Sequence, residues 1–135
     1  MSRALDDLAP VFRPLANALL AHATEADIMV KIICTGRTQA EQDADVARKA
    51  SRVAHSKHQD GLAIDICPFQ VWLEVGPDKL QWDTTHPSWP KLGAIGEALG
   101  LRWGGRFAPL DRTGMGWDAG HFEYRDPAEQ PPSRA

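Results

Sequence analysis

Residues 56–67 read Ser56-Lys57-His58-Gln59-Asp60-Gly61-Leu62-Ala63-Ile64-Asp65-Ile66-Cys67. Leu62–Cys67 is a mostly apolar run of strand length. Alternation along a strand puts Ala63, Asp65 and Cys67 on one face and Leu62, Ile64 and Ile66 on the other. Asp65 is then a lone carboxylate inside an apolar strand. Burying it is costly unless it is paired or binds a metal. A salt bridge to an arginine such as Arg37, or a helix cap, would answer that need as well. His58 shifts the balance. It stands seven residues earlier, across Gly61, whose missing side chain lets the backbone turn sharply or pack closely. A histidine in that loop can fold back over the face that carries Asp65.

Working outward toward the N-terminus, Leu5, Leu8, Phe12, Leu15 and Leu19 recur at helical steps. Pro10 and Pro14 interrupt the pattern and predict a late start or a kink. Ile28–Ile33 reads as a strand. Thr38-Gln39-Ala40-Glu41 is a capping box, followed by a helix over Gln39–Ala50. Toward the C-terminus, Phe69–Val75 reads as a third strand in a hairpin with the second, and Gly76-Pro77-Asp78 as a turn. Ser88 and Pro90 start a helix with Leu92, Ile95 and Leu99 on its apolar face, and Gly100 can end it. Leu101–Trp103 and His121–Tyr124 are short strands around a glycine-rich loop, Gly104–Trp117. Helices and strands mix without βαβ alternation, so the expected class is α+β. We expect one small domain over residues 1–125, with a central antiparallel sheet and flanking helices. Residues 126–135, with three prolines, read as a flexible tail.

A chain of 135 residues can bury one core but is short for two. The net charge is −3 with no block of like charge, which argues against a nucleic-acid partner. No apolar run is long enough to cross a bilayer, so membrane insertion is not expected. Arg3, Asp6, Asp7 and Arg13 break up the N-terminal apolar residues, unlike a signal peptide. The expected place of synthesis is the cytoplasm. Two cysteines, Cys34 and Cys67, form no disulfide framework and read as buried thiols near the ends of neighbouring strands.

Asp118-Ala119-Gly120-His121 supplies what the first motif lacks. His121 begins a strand, and Asp118 precedes it in a tight Ala-Gly turn. Two histidines and an aspartate can hold one Zn2+ with a position left for water, and a second carboxylate can take that water's proton. Taken singly, each of these residues could be structural; together they make a site in a cleft on the sheet.

The pattern Ser56-x-His58-x-x-Gly61-x-Ala63-x-Asp65 with Asp118-x-x-His121 resembles the zinc peptidases of the D-alanyl-D-alanine carboxypeptidase and L-alanyl-D-glutamate endopeptidase group, which cut peptidoglycan stem peptides. Gly36-Arg37-Thr38-x-x-Glu41-Gln42 and Trp103-Gly104-Gly105 resemble further segments of that family. The resemblance implies that His58, Asp65 and His121 are the zinc ligands and Asp118 the general base and acid. It implies that Arg37 stabilises the substrate oxygen as it becomes an oxyanion, and that Ser56 and Gln42 orient ligands or substrate. Aspartate at position 118, where many carboxypeptidases have glutamate, resembles the endopeptidase branch found in phage endolysins. Gly120 departs from the proline often found there, and the 106–117 loop is longer than expected. Asp111 in that loop is a rival base at a greater sequence distance from His121.

The expectation is a monomeric zinc endopeptidase that cuts between L-alanine and D-glutamate and reaches the wall after release from the cell. A carboxypeptidase trimming a terminal D-alanine and a non-catalytic zinc-stabilised binding or phage structural module are the alternatives. His22 and His55 read as surface residues. His86, Trp82 and Trp89 read equally as cleft wall or loop packing, and Trp72 and Trp117 as core or cleft wall.

Overall fold

A computed structural model describes residues 1–47, 56–69 and 79–126. Among the described residues, four antiparallel strands form one open sheet: β1 (Val30–Cys34), β2 (Ala63–Pro68), β3 (Arg102–Trp103) and β4 (His121–Glu123), in the order β1-β2-β4-β3. Three helices accompany them among the described residues: α1 (Arg13–Glu25), α2 (Gln39–Ala47) and α3 (Ser88–Ala98). The α+β class with a central antiparallel sheet is as expected.

The register decides which residues share a face. Cys34 stands opposite Asp65, and Asp65 opposite His121. Ala63 stands opposite Glu123, and Glu123 opposite Arg102. Because partners directly opposite project to the same side, this face carries two polar rows across the sheet. The other face carries Ile64 opposite Phe122 and Phe122 opposite Trp103. It is covered by Phe12, Ala16, Leu19 and Ala23 around α1 and by Leu92 of α3, all buried in one core. The N-terminal helix starts late, at Arg13, with Pro14 in its first turn, as the prolines predict.

The third helix comes unusually close to the sheet. A Cβ on Gly93 would lie 2.4 Å from the Trp103 ring, and one on Gly96 would lie 2.4 Å from the Phe122 ring. Only glycine allows that approach. Gly100, at φ +83°, then ends the segment beyond α3.

Several boundaries differ from the sequence reading. The first strand begins at Val30 rather than Ile28, because Asp27 turns left-handed at φ 60° and Ile28 N–H bonds back to the Ala23 carbonyl at 2.9 Å. Ile28 joins the core instead of the sheet. The capping box forms: Thr38 N–H donates to Glu41 Oε1 at 3.0 Å and Glu41 N–H to Thr38 Oγ1 at 3.1 Å. The end of that helix at Ala50, the 70–75 part of the expected third strand, the turn at 76–78 and the tail from 127 lie outside the described residues. Phe69 makes an isolated bridge to Leu80. Cys34 and Cys67 are both buried and free, Cys34 facing Asp65 and Cys67 facing Lys31 in the register. Burial pushes the Cys67 thiol up to about 12. No helix among the described residues is long and apolar enough to cross a membrane.

Candidate metal centre

The loop before β2 is built to present His58. Residues Lys57–Asp60 form one tight 3-10 turn. Ser56 opens it: its hydroxyl accepts from His58 N–H at 3.2 Å, while Gln59 Oε1 accepts from Ser56 N–H at 2.8 Å. Gly61 closes the turn at φ 70°, and a Cβ there would lie 2.7 Å from the Ala9 backbone nitrogen. The left-handed conformation and the close approach both require glycine. His58 is thereby buried above the strand that carries Asp65.

Asp65 lies between the two histidines. Its Oδ1 is 3.0 Å from His121 Nδ1, and its Oδ2 is 3.1 Å from His58 Nε2. The His121 contact is a hydrogen bond. The His58 contact is off line, so buried His58 Nε2 has no hydrogen-bond partner. A buried ring nitrogen held at a carboxylate but not bonded to it suits a metal ligand. Asp118 Oδ2 lies 3.7 Å from His121 Nδ1. Asp65, Asp118 and His121 offer ligand atoms within 4.8 Å of one another, as do Cys34, His58 and Asp65. Two imidazole nitrogens and carboxylate oxygen are the donor set that zinc favours, and the residues fit it. Cys34 lies behind His58, with Sγ 3.7 Å from Nδ1.

The electrostatics are strongly coupled. Burial opposes ionisation of Asp65, but the two flanking imidazoles outweigh it and hold the carboxyl below its usual range. Burial also opposes charge on the histidines. Asp65 and Cys34 nonetheless raise His58 to about 9, and Asp65, Glu123 and Asp118 raise His121 to about 10. Burial lifts the Asp118 carboxyl above its usual value, an effect that the charges of His121, His58 and Arg37 partly offset.

The structure brings His58, Asp65, His121 and Asp118 together, with Asp65 between the two rings, and places the remaining candidates around them. Gln42 is fully buried and accepts from Arg37 Nη1 through Oε1 at 2.9 Å, so it orients Arg37. Ser56 is buried and orients the His58 turn. Asp111 is exposed, and its Oδ1 accepts from Thr113 N–H at 2.7 Å and Met115 N–H at 3.1 Å, which ties it to its own loop. Trp117 is exposed and leans on Phe107, whose ring lies 5.7 Å from that of His121. Trp89 is buried with exposed Trp82 stacked on it, and His86 Nδ1 accepts from Ser88 N–H at the start of α3. His22 pairs with Glu25 on the surface. His55 and Trp72 lie outside the described residues.

Glu123 is the residue that the sequence reading missed. Its Oε1 is 2.8 Å from His121 Nε2. The spacing of two along a strand, which puts 121 and 123 on one face, is the signal that could have found it.

A family model described as D-alanyl-D-alanine carboxypeptidase matches residues 49–124, more than half of the chain and a span that holds His58, Asp65, Asp118 and His121. No curated protein sequence matches the chain. The fold is similar to that of the Serratia marcescens L-Ala D-Glu endopeptidase ChiX, with a TM-score of 0.67 and 17% identity over 90% of this chain and 83% of that one. It is also similar to the LdcB LD-carboxypeptidase (TM-score 0.58, 17% identity, 87% of this chain and 58% of that one). A third likeness is to VanYB, solved in complex with D-alanine-D-alanine (TM-score 0.56, 18% identity, 87% and 71%). The donor set on the sheet, the fold and the profile match agree, and the chain belongs to the D-alanyl-D-alanine carboxypeptidase family of zinc peptidases that act on peptidoglycan.

Proposed function

We propose that His58, Asp65 and His121 hold one zinc ion, that Asp118 and Arg37 serve the reaction, and that the bond cut is the one between L-alanine and D-glutamate in the stem peptide. The observation that carries the site is Asp65 placed between His58 Nε2 and His121 Nδ1, with Asp118 beside the second ring. A zinc ion held by these three residues would supply Lewis acidity and make a water more acidic. Asp118, its pKa raised by burial, can accept a proton from the attacking water and return it to the leaving amine. Arg37, held by Gln42 within electrostatic reach of Asp118, offers a preorganised cation to the amide oxygen as charge develops on it.

The choice of bond is supported by aspartate at position 118 and by the likeness to an L-Ala D-Glu endopeptidase over most of that protein's length. The same aspartate supports an endolysin setting, in which the enzyme meets the wall after the cell membrane is breached. The second reading, removal of a terminal D-alanine, is supported by the family description. Mass spectrometry of ends released from purified sacculi by the zinc-loaded protein separates them. New L-alanine carboxyl and D-glutamate amino ends are expected. Released D-alanine without those ends would transfer the assignment to the carboxypeptidase reading.

A further inference from the structure

Glu123 is buried on the site face of β4, where its carboxylate is held from three sides. Oε1 is 2.8 Å from His121 Nε2. Oε2 is 3.1 Å from Arg102 Nη1 and 3.2 Å from Lys57 Nζ. Lys57 also donates to the Tyr124 carbonyl at 2.8 Å, which fixes its ammonium against the end of β4. Arg102 is the register partner of Glu123 on β3. Three segments thus meet at one carboxylate: the turn that carries His58, the edge strand, and the strand that carries His121.

The two nitrogens of His121 face different groups. Nε2 faces Glu123, whereas Nδ1 faces Asp65 Oδ1 at 3.0 Å and Asp118 Oδ2 at 3.7 Å. A neutral imidazole carries one proton, and its position decides which nitrogen keeps a lone pair. The Glu123 oxygen accepts the Nε2 N–H, so it is the Nδ1 proton, on the Asp65 side, that gives way to a metal. Lys57 and Arg102 hold Oε2, which leaves Oε1 facing the ring. Lys57 is the residue before His58, so the same ion pairs tie the two ligand-bearing segments together across the sheet.

We propose that Glu123 is a positioning residue: with Lys57 and Arg102 it clamps His121 with Nδ1 turned toward the metal, and through Lys57 it holds the His58 turn in register with β4. This rests on the ligand assignment made above. Glu123 itself lies on the far side of the His121 ring from Asp65 and takes no part in proton transfer.

The test is zinc affinity by chelator competition for the parent, Glu123→Gln, Glu123→Ala, Lys57→Met and the Glu123→Ala/Lys57→Met pair. Loss of such a carboxylate partner typically weakens metal binding about 10–100-fold. We expect that loss for Glu123→Ala and a smaller one for Glu123→Gln, whose amide oxygen can still accept. Lys57→Met should weaken binding in the parent but add little once Glu123 is gone. In zinc-loaded protein labelled with nitrogen-15 histidine, the His121 Nε2–H signal should exchange slowly in the parent and be lost to exchange in Glu123→Ala. A purely structural ion pair would leave that signal in place. Should Glu123→Ala not fold, the near-isosteric Glu123→Gln carries the same comparison. A parent that binds one zinc, with variants that bind it as tightly, overturns the clamp alone. A parent whose zinc binding survives His121→Ala overturns the ligand assignment and the clamp with it.

Discussion

Arg37 Nη1 donates to Gln42 Oε1 at 2.9 Å, and Gln42 is fully buried on α2, five residues further along the chain. A long arginine side chain is costly to hold in one rotamer, and this bond makes part of that ordering permanent. Gln42→Leu should therefore lower kcat/KM by about tenfold to a hundredfold, the scale of a misplaced charge-stabilising group. Zinc stoichiometry should not change. Unchanged kinetics in a folded Gln42→Leu protein would show that Arg37 needs no such support.

Asp118→Asn should cost about a hundredfold or more in kcat while one zinc remains bound. In the metal-free protein burial raises the Asp118 carboxyl above the usual ~3.9, and because the base must be ionised to work, its titration should shape the acid limb of the parent. The pH profile of kcat/KM checks both statements. An acid limb identical in Asp118→Asn and the parent would remove Asp118 from the role.

The stability of the metal-stripped protein and the extra stability that zinc confers should respond to pH in opposite senses. In metal-stripped protein, His58 is raised to about 9 and His121 to about 10, against ~6.5 for free histidine. A raised histidine contributes stability that is complete below its unfolded value and lost as pH climbs through its folded one. Asp65 is depressed, so its contribution is present above the usual ~3.9 and lost as pH falls through the lower folded value. Metal-stripped protein should melt at falling temperature between about pH 6.5 and 10. The increase in melting temperature on adding zinc should grow over the same range, because the two histidine ligands must lose their extra proton to bind. Calorimetry across that window, with and without zinc, reads both slopes.

Gly96→Ala should destabilise the fold, although alanine favours a helix over glycine by ~1 kcal/mol. The added Cβ would lie 2.4 Å from the Phe122 ring at the centre of the core. Overpacking of that kind costs about 1–3 kcal/mol. Denaturant unfolding gives the sign directly, and a stabilised variant would mean that α3 can lift from the sheet at little cost.

Much of the site is legible in the chain because its spacing is local. Gly61 and the strand period place His58 over Asp65 with no knowledge of the rest of the fold. The turn from Asp118 to His121 is readable for the same reason. What escapes is whatever the pairing of distant strands decides. Glu123 shares a face with His121 by simple alternation, but its buried partners Lys57 and Arg102 come from other segments, joined to it only by the order β1-β2-β4-β3. The role of Gln42 is half legible, since its position beside Arg37 in sequence does not reveal that it is buried. The start of β1 is misread because Ile28 has strand character but is drawn into the core by the reversal at Asp27.

The three residues of strand β4 serve three different ends. His121 stands at the candidate metal centre, Phe122 in the core and Glu123 at the ion pairs. Both edges of the strand are occupied, by β2 and β3. A slip of one residue would turn every side chain to the opposite face, sending Phe122 over the site and His121 into the core. Misaligned forms of this chain would thus be inert as well as unstable. For a peptidase that acts on peptidoglycan, the site proposed above makes catalytic competence a proofread property: hydrolysis would begin only in molecules whose β4 has settled correctly.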